Sequence, residues 1–271
     1  MSETAEILVA VVQCTPGDDR VHNRGTVAAF VAVAAARGAR LVVFPEYMSF
    51  FVHPLGPAFV RNAEPVDGDF VDALAEAARE HAVYVVAGLV ESTGEPKRFS
   101  NTLVAVDPLG DVVATYRKQH LYDAFGAQES DWVLPGALDE PKIFSVDGIA
   151  VGLQTCYDLR FPEVTRRLAD AGAELVAVPA EWVRGPLKEQ HWRTLITARA
   201  IENTLYVAAA DHAPPIGVGC SMIVDPMGVA VAGMGETAGI ALADVSAERV
   251  RAIREVNPAL ALRRYRVVPA D

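Results

Sequence analysis

The sequence predicts an α/β fold, a four-layer αββα sandwich with pseudo-twofold internal symmetry. Short valine-rich strands alternate with alanine-rich helical segments, and the order strand, helix, strand, helix, strand, hairpin occurs twice. The halves also match in sequence: GARLVVFPE (38–46) resembles GAELVAVPAE (172–181), and HAVYVVAG (81–88) resembles NTLYVAAA (203–210). No linker rich in glycine, serine or proline separates the halves, so we expect two packed sheets with outer helices in one domain over residues 1–271.

The elements of the first half follow from hydrophobic pattern and breakers. The expected order is a buried strand at 6–13, a helix at 23–37 ending at Gly38, a strand at 41–44 cut off by Pro45, a helix at 68–81, a strand at 83–90 and a hairpin at 102–116. The hairpin turn is Asp107-Pro108-Leu109-Gly110, in which proline presets φ and glycine closes the turn.

The second half repeats this order after an irregular stretch at 119–141. The expected elements are a strand at 149–154, a helix at 161–171, a strand at 175–179, a helix at 188–202, a strand at 205–211, a hairpin at 221–233 and a last helix at 246–255. The second hairpin turns at Asp225-Pro226-Met227-Gly228, the same residue pattern as the first.

Composition excludes several classes of function. The chain has 271 residues, 51% of them hydrophobic, and a net charge of -11. Nucleic acids and anionic membranes attract basic patches, so neither is expected as a partner. The longest apolar run, 26–36, is too short to span a bilayer, and the N-terminal MSETAEILVAVVQ lacks the basic region and cleavage site of a signal peptide.

The three cysteines are far apart, odd in number and without zinc-site spacing. We therefore expect no disulfide framework, no metal and a reducing, cytoplasmic location. Cys14 and Cys220 lie in or beside apolar strands, which predicts a packing role. Cys156 differs because it stands where the strand at 149–154 gives way to a helix-like pattern, in QTCYDLRFPE (154–163).

Three predicted strand ends bear reactive groups: Glu46 after LVVFP, Lys118 after VVATYR and Cys156 after VGLQT. Open α/β sheets bind ligands at the carboxyl ends of their strands, so these side chains are expected to converge. A carboxylate can take the proton of a thiol, whose ordinary pKa is about 8.5, and an ammonium can stabilise the resulting negative charge. The three groups suffice for amide or nitrile hydrolysis without a histidine, a metal or an organic cofactor.

Five motifs in order make the chain resemble the nitrilase, or carbon-nitrogen hydrolase, superfamily over nearly its whole length. They are FPEY (44–47), YRKQHLYD (116–123), QTCYDLRFPE (154–163), HWRTLITARAIENTLYV (191–207) and GCSMIVDPMG (219–228). The form of the cysteine motif is most similar to the Nit branch, which includes ω-amidases and amidases of deaminated glutathione.

The resemblance implies a role for each reactive group. Glu46 would be general base and then acid, and Cys156 would be the nucleophile that forms a thioester. Lys118 and the backbone N–H of Tyr157 would hold the oxyanion. Glu129 matches the family's second glutamate and would position Lys118 or the hydrolytic water. The implied reaction releases ammonia from a small amide, with water as the second substrate.

The substrate is less well specified. Several residues are candidates for binding it: Tyr47, Arg160, Glu181, Trp182 and Arg184. A carboxylate-bearing amide would need a cationic anchor, for which Arg160, Arg184 and Lys188 are the candidates. The loop WVRGPLKEQ (182–190) departs from the expected Nit pattern, so an N-carbamoyl amine or amino acid stays open as an alternative.

Two further alternatives follow from the same residues. His120 lies two positions after Lys118, and a cysteine–histidine pair is the commoner arrangement among thiol hydrolases. The fold could also serve as a ligand-binding subunit with a dead site. The resemblance implies at least a homodimer, and the apolar faces of 161–171 and 191–202 are consistent with one.

Overall fold

The computed structural model describes residues 5–270. The strands are β1 (Glu6–Gln13), β2 (Leu41–Val43), β3 (Tyr84–Ser92), β4 (Phe99–Val106), β5 (Val112–Arg117), β6 (Ile143–Val146), β7 (Ile149–Leu153), β8 (Leu175–Ala180), β9 (Tyr206–Asp211), β10 (Met222–Val224), β11 (Ala230–Gly233) and β12 (Gly239–Ser246). The α-helices are α1 (Arg20–Ala36), α2 (Pro57–Asn62), α3 (Asp69–His81), α4 (Pro162–Asp170), α5 (Lys188–Asn203) and α6 (Ala247–Val256).

Two six-stranded sheets form the centre of the fold. The first has the order β12-β1-β2-β3-β4-β5, and the second has the order β6-β7-β8-β9-β10-β11. In each sheet three parallel strands, β1-β2-β3 or β7-β8-β9, are extended by an antiparallel hairpin on one side and one antiparallel strand on the other. The predicted αββα sandwich and its pseudo-twofold repeat are therefore confirmed.

Three hydrophobic clusters hold the four layers together. Between the sheets, Val11 and Val43 of the first sheet pack with Ala177 and other residues of the second. The outer face of the first sheet packs on α1 and α3, and the outer face of the second packs on α4 and α5. Both faces of the central strands are buried, which explains why these strands are continuous apolar runs instead of alternating ones.

The sequence analysis missed α2, β6 and β12. β6 and β12 are equivalent in the two halves, since each is the antiparallel neighbour of the first parallel strand of its sheet. Both lie at a sheet edge and alternate between buried and exposed or are only partly buried, so neither has the apolar run that identified the central strands. Their pairing is decided by the partner strand.

A 3₁₀ turn, Cys156–Arg160, follows β7, and the helix predicted at 161–171 is present as α4, Pro162–Asp170. Phe161 is extended, with φ -111° and ψ 96°, because a residue before proline is disfavoured in the α region. The dipole of α4 therefore does not begin at the cysteine.

The prediction of one domain covers residues 1–271 and stays a prediction, because residues 1–4 and 271 lie outside the described part. Residues 1–4 also belong to the segment in which no signal peptide is predicted. Within residues 5–270, no helix has the length and apolar character needed to cross a membrane.

Cys14 and Cys220 are both buried and free, with 5% and 3% of their surface exposed.

Candidate active site

The predicted reactive groups lie around one cavity of about 510 Å³. Glu46 follows β2, Lys118 follows β5 and Cys156 follows β7, so three strand ends from both sheets deliver them to the same edge. Glu129 comes from a short 3₁₀ turn, Glu129–Asp131, in the irregular stretch after β5. The structure thus brings together the four residues to which the sequence analysis gave catalytic roles.

Glu46 is held from three directions. Its Oε1 accepts hydrogen bonds from Lys118 Nζ (3.0 Å) and Asn101 Nδ2 (2.5 Å), and its Oε2 accepts one from the backbone N–H of Glu181 (2.6 Å). Only 1% of Glu46 is exposed. Its backbone approaches Gly88 of β3 so closely that an added Cβ there would lie 2.7 Å from the Glu46 Cα.

Glu129 holds the other side of the lysine. Its Oε1 accepts from Tyr47 Oη (2.7 Å) and from Lys118 Nζ (3.0 Å), and its Oε2 accepts from the backbone N–H of Tyr122 (2.5 Å). Asn101 Nδ2 also reaches Glu129 Oε1, at 3.3 Å, and so contacts both glutamates. The ammonium of Lys118 is therefore fixed between two carboxylates in the interior.

The surroundings keep Lys118 charged. Burial lowers the pKa of Lys118, but the neighbouring Glu129 and Glu46 carboxylates outweigh it, and the net effect raises this pKa well above its ordinary value. One ammonium and two carboxylates leave the group with a net negative charge. A net negative charge makes it easier for one of the two carboxylates to accept a proton from the thiol.

Cys156 occupies a strained position at the start of its 3₁₀ turn. Its φ is +44°, in the left-handed region that side chains other than glycine rarely adopt. Its Sγ donates to the Glu181 carbonyl at 3.5 Å, and 6% of the residue is exposed. Burial raises the pKa of Cys156 well above its ordinary value, and Glu46 raises it further while Lys118 opposes the rise. The raised pKa favours the thiol form of Cys156 over the thiolate.

His120 is bound to a different group. Asp158 accepts hydrogen bonds from the His120 backbone N–H (3.0 Å) and lies 2.8 Å from its Nδ1, and Tyr116 Oη donates to Asp158 at 2.7 Å. The His120 ring also stacks on Phe161, with centroids 3.8 Å apart. His120 does not line the cavity, and within residues 5–270 no hydrogen bond joins it to Cys156. The geometry gives no support to a cysteine–histidine pair.

Two cations line the cavity wall among aromatic rings. The Arg160 guanidinium lies 4.8 Å from the ring centre of Trp182, and its Nε is buried without a partner in the described part. Lys188 Nζ donates to Tyr122 Oη at 2.6 Å and lies 3.9 Å from the ring centre of Phe125. Burial lowers the pKa of Lys188, and Arg160 lowers it further. Neither cation forms an ion pair within residues 5–270.

The other substrate-binding candidates are placed differently from one another. Tyr47 and Trp182 line the cavity, and Trp182 is fixed by its Nε1, which donates to the Lys188 carbonyl at 2.8 Å. Arg184 lies outside the cavity, where it pairs with Glu236 at 2.8 Å. The structure therefore brings Tyr47, Trp182 and Arg160 together but leaves Arg184 apart.

Glu181 combines backbone and side-chain contributions. Its N–H and carbonyl contact Glu46 and Cys156 as described above, and the residue lines the cavity. Burial raises the pKa of Glu181 well above its ordinary value, with further contributions from Glu46 and Asp211. Asp211 is also buried, and burial likewise raises its pKa well above its ordinary value.

Sequence reasoning missed Asn101, Tyr122 and Phe125. Asn101 was detectable in principle as a polar side chain in FSNTLVAV (99–106), whose residues are all buried. Tyr122 and Phe125 lie in the stretch that was read only as irregular, where no periodicity indicates which side chains face inward. Among residues 5–270, no group of three or more His, Cys, Asp or Glu side chains is arranged to hold a metal ion.

Comparisons with known proteins identify the family of this chain. The family model described as carbon-nitrogen hydrolase matches residues 8–255. Deaminated glutathione amidase of Escherichia coli O157:H7 is 41% identical over 260 residues, which are 96% of this chain and 98% of that protein.

Solved structures show the same fold. The NitFhit protein of C. elegans superposes with a TM-score of 0.89 at 28% identity, covering 96% of this chain and 66% of that one. A mutant of the amidase from Nesterenkonia sp. AN1 superposes with a TM-score of 0.81 at 27% identity, covering 97% of this chain and 95% of that one. That structure shows covalent addition of the acetamide moiety of fluoroacetamide at the active site cysteine.

Proposed function

The chain belongs to the carbon-nitrogen hydrolase family, in its Nit-like branch, and is a thiol-dependent hydrolase of a non-peptide C–N bond in an amide; on this premise we propose that Cys156 is the nucleophile and Glu46 the general base. One observation above all supports the assignment. Lys118 binds two buried carboxylates, each at 3.0 Å, in the same cavity that holds the strained Cys156 thiol.

The first half of the reaction forms a thioester. Glu46 removes the proton from Cys156 and Sγ attacks the amide carbon; because the pKa of the thiol is raised, the attack depends on this base. The carbonyl oxygen becomes an oxyanion, which Lys118 and the backbone N–H of Tyr157 stabilise. Each such donor contributes about 3 kcal/mol to the transition state. The C–N bond then breaks, and nitrogen leaves as ammonia with the proton from Glu46.

The second half returns the enzyme to its starting state. Glu46 takes a proton from water, and the hydroxide attacks the thioester carbon. The C–S bond breaks, Sγ recovers the proton from Glu46, and a carboxylic acid is released. Glu129 holds Lys118 throughout, since its contacts with Tyr47, Tyr122 and Asn101 fix it against the lysine. The chemistry that this set of residues supplies needs proton transfer and charge stabilisation alone.

We propose that the substrate is a small amide with a carboxylate at its far end. Arg160 and Lys188 line the cavity, are free of ion pairs within the described residues, and are set among aromatic rings that would cover an acyl chain. A buried and a partly buried cation without a counter-ion among the described residues favour an anionic ligand. The E. coli relative is a deaminated glutathione amidase, which supports an amide as the substrate class.

The test is hydrolysis of a panel of amides, with Cys156→Ala in parallel; it is followed by ammonia release or, for deaminated glutathione, by release of the amine that carries its amide nitrogen. The panel holds ω-amides of dicarboxylic acids, deaminated glutathione, simple aliphatic amides, N-carbamoyl compounds and nitriles. We expect release from the carboxylate-bearing amides, none from Cys156→Ala, and wild-type rates from Cys14→Ala, which removes another buried thiol. Turnover by Cys156→Ala would overturn the mechanism, and a preference for N-carbamoyl compounds would overturn the substrate class.

A second experiment tests the anchor. Arg160→Met should raise KM for a carboxylate-bearing amide about 10-fold or more with a smaller change for a neutral amide, because a charge-assisted contact is worth roughly 1.5–3 kcal/mol. Arg184→Met is the matched control, since Arg184 lies outside the cavity. Equal effects of the two substitutions would contradict the assignment.

We also propose that the enzyme works as a homodimer in the cytoplasm. The proposal of a dimer is supported by the family resemblance, and three free cysteines are compatible with a reducing compartment. Light scattering that found only a 29.0 kDa species would contradict the dimer.

A further inference from the structure

One carboxyl in the cavity has no use in the mechanism above. Glu181 connects the base to the nucleophile through its backbone, whose N–H donates to Glu46 Oε2 at 2.6 Å and whose carbonyl accepts from Cys156 Sγ at 3.5 Å. Glu181 lines the same cavity, and its carboxyl is near enough to the thiol to raise the pKa of Cys156. The carboxyl therefore lies within reach of the part of a substrate that neighbours the reacting carbon.

The side chain of Glu181 has no hydrogen bond to the described residues, and its Oε1 is fully buried and without a partner. Glu46 and Glu129, in the same cavity, accept at least three hydrogen bonds each. Leaving a buried polar group unpaired costs about 1–3 kcal/mol, so a carboxyl kept in this state indicates a partner that arrives with a ligand.

The surroundings favour the protonated form of this carboxyl. Burial, the Glu46 carboxylate and Asp211 all raise its pKa, and Lys118 only partly opposes them. Asp211, at the end of the neighbouring strand β9, is itself buried with Oδ2 unpartnered. A neutral carboxyl in this cavity presents an O–H donor.

We propose that Glu181 is a specificity-determining hydrogen-bond donor, which selects amides with an uncharged oxygen substituent, a hydroxyl or ketone, on the carbon next to the reacting carbonyl. The inference rests on the proposed function, because ammonia is then the leaving group and all substrate carbon lies on the acyl side. An ammonium substituent fits less well, since Arg160 and Lys188 line the same cavity without counter-ions and would repel it.

The experiment compares three ω-amides of one dicarboxylic acid, which bear hydrogen, a hydroxyl or an ammonium on the carbon next to the amide. The measured quantity is the ratio of kcat/KM between the substituted and unsubstituted amides. In the wild type we expect the hydroxyl to raise kcat/KM about 10- to 100-fold over hydrogen, and the ammonium to lower it.

Variants separate the side chain from its backbone contacts. Glu181→Gln keeps an N–H donor at the same place and should retain most of the preference for the hydroxyl. Glu181→Ala should reduce the ratio to within about threefold of unity, because the donor is lost. Glu189→Ala is the matched control. Glu189 is an exposed glutamate in the segment 182–190 that follows Glu181, and it does not line the cavity. This variant should keep the wild-type ratio.

Two outcomes would overturn the inference. One is a wild type that hydrolyses the hydroxylated and unsubstituted amides equally well. The other is a preference for the ammonium that Glu181→Gln abolishes, which would make Glu181 a carboxylate that binds cations. Failure of the proposed function looks different, since then no amide releases ammonia or Cys156→Ala still does.

Discussion

Glu46 and Glu181 follow equivalent strands, β2 and β8, in the two halves of the fold, but their carboxyls are in opposite states. The Glu46 carboxylate has three hydrogen-bond partners, among them the ammonium of Lys118. The Glu181 carboxyl is raised in pKa and has no hydrogen bond to the described residues. One repeated position has thus become a group paired with an ammonium in one half and a group without a hydrogen bond to the described residues in the other.

The hairpins explain the difference. The first hairpin delivers Lys118 at a fixed spacing from its turn residue Asp107, and the second has Glu236 at the same spacing from Asp225. Glu236 pairs with Arg184 outside the cavity, so the second half supplies no cation to Glu181. Symmetry repeats the backbone, while the charge state of each strand end depends on the residue that the neighbouring hairpin contributes.

The largest effect on activity is expected when each of these two glutamates is replaced by glutamine. Glu46→Gln should reduce kcat by about 10²- to 10⁴-fold, because the general base is lost. Glu181→Gln should cost less than about tenfold, because glutamine keeps the size and a donor. Steady-state ammonia release for both variants gives the answer, and equal losses would show that the two carboxyls do not differ in role.

Removing the positive charge of Lys118 should lower both activity and stability. Lys118→Met leaves Glu46 and Glu129 facing each other in the interior, which should destabilise the fold by about 3–5 kcal/mol. The loss of an oxyanion donor should lower kcat by about 10²- to 10³-fold in the remaining folded protein. Denaturant unfolding beside kinetics measures both, with the exposed Lys97→Met as control. A stable, active Lys118→Met would contradict the charge arrangement.

A buried histidine next to Glu46 should make the stability of the folded protein sensitive to acid. His212 is fully buried, its Nε2 donates to the Glu46 carbonyl at 2.7 Å, and burial lowers its pKa from 6.5 to about 4. The unfolded chain then binds the proton more readily, so stability falls as pH falls from about 6.5 to 4. The loss from this residue should be about 3 kcal/mol.

Urea unfolding at several pH values tests this dependence. The difference in unfolding free energy between wild type and His212→Gln should shrink as pH falls through this range, because glutamine does not titrate. A difference that stays constant from pH 7 to pH 4 would exclude His212 as the titrating group.

Because Glu46 closely approaches β3, we predict that adding a methyl group at Gly88 has an intermediate effect on stability and activity. A Cβ at Gly88 would lie 2.4 Å from the Tyr47 nitrogen, so Gly88→Ala must displace the backbone that positions Glu46. We expect a destabilisation of about 1–3 kcal/mol and a lower kcat. Thermal unfolding and kinetics compare it with Gly94→Ala, where nothing lies within 4 Å of the added Cβ. Matching behaviour of the two variants would contradict the predicted clash.

The smallest effect is expected at His120. His120→Gln should lower kcat by less than about tenfold, through the loop that Asp158 holds, because His120 does not line the cavity. A cysteine–histidine enzyme would instead lose most of its activity. If His120→Gln lost as much as Glu46→Gln, the base would have to be reassigned.

The central strands, the paired hairpins and the motifs around Glu46, Lys118 and Cys156 could be predicted from sequence because each depends on local pattern. The partners of these groups could not. Asn101 lies beside Lys118, whose N–H donates to the Asn101 carbonyl at 2.9 Å. That register depends on a bulge between Ala105 and Val106, which shifts the pairing and leaves no mark in the hydrophobic pattern.

By itself, the sequence determined the layered α/β fold, the repeat and the identity of the reactive side chains, since residue type and periodicity are properties of the chain. Only the tertiary structure decided that Arg160 and Lys188 line the cavity while Arg184 does not, and that Glu181 is unpaired. The physical reason is that charge state and contact depend on burial and on groups that are distant in sequence. Glu46 acquires its partners from β4, from the end of β5 and from the end of β8.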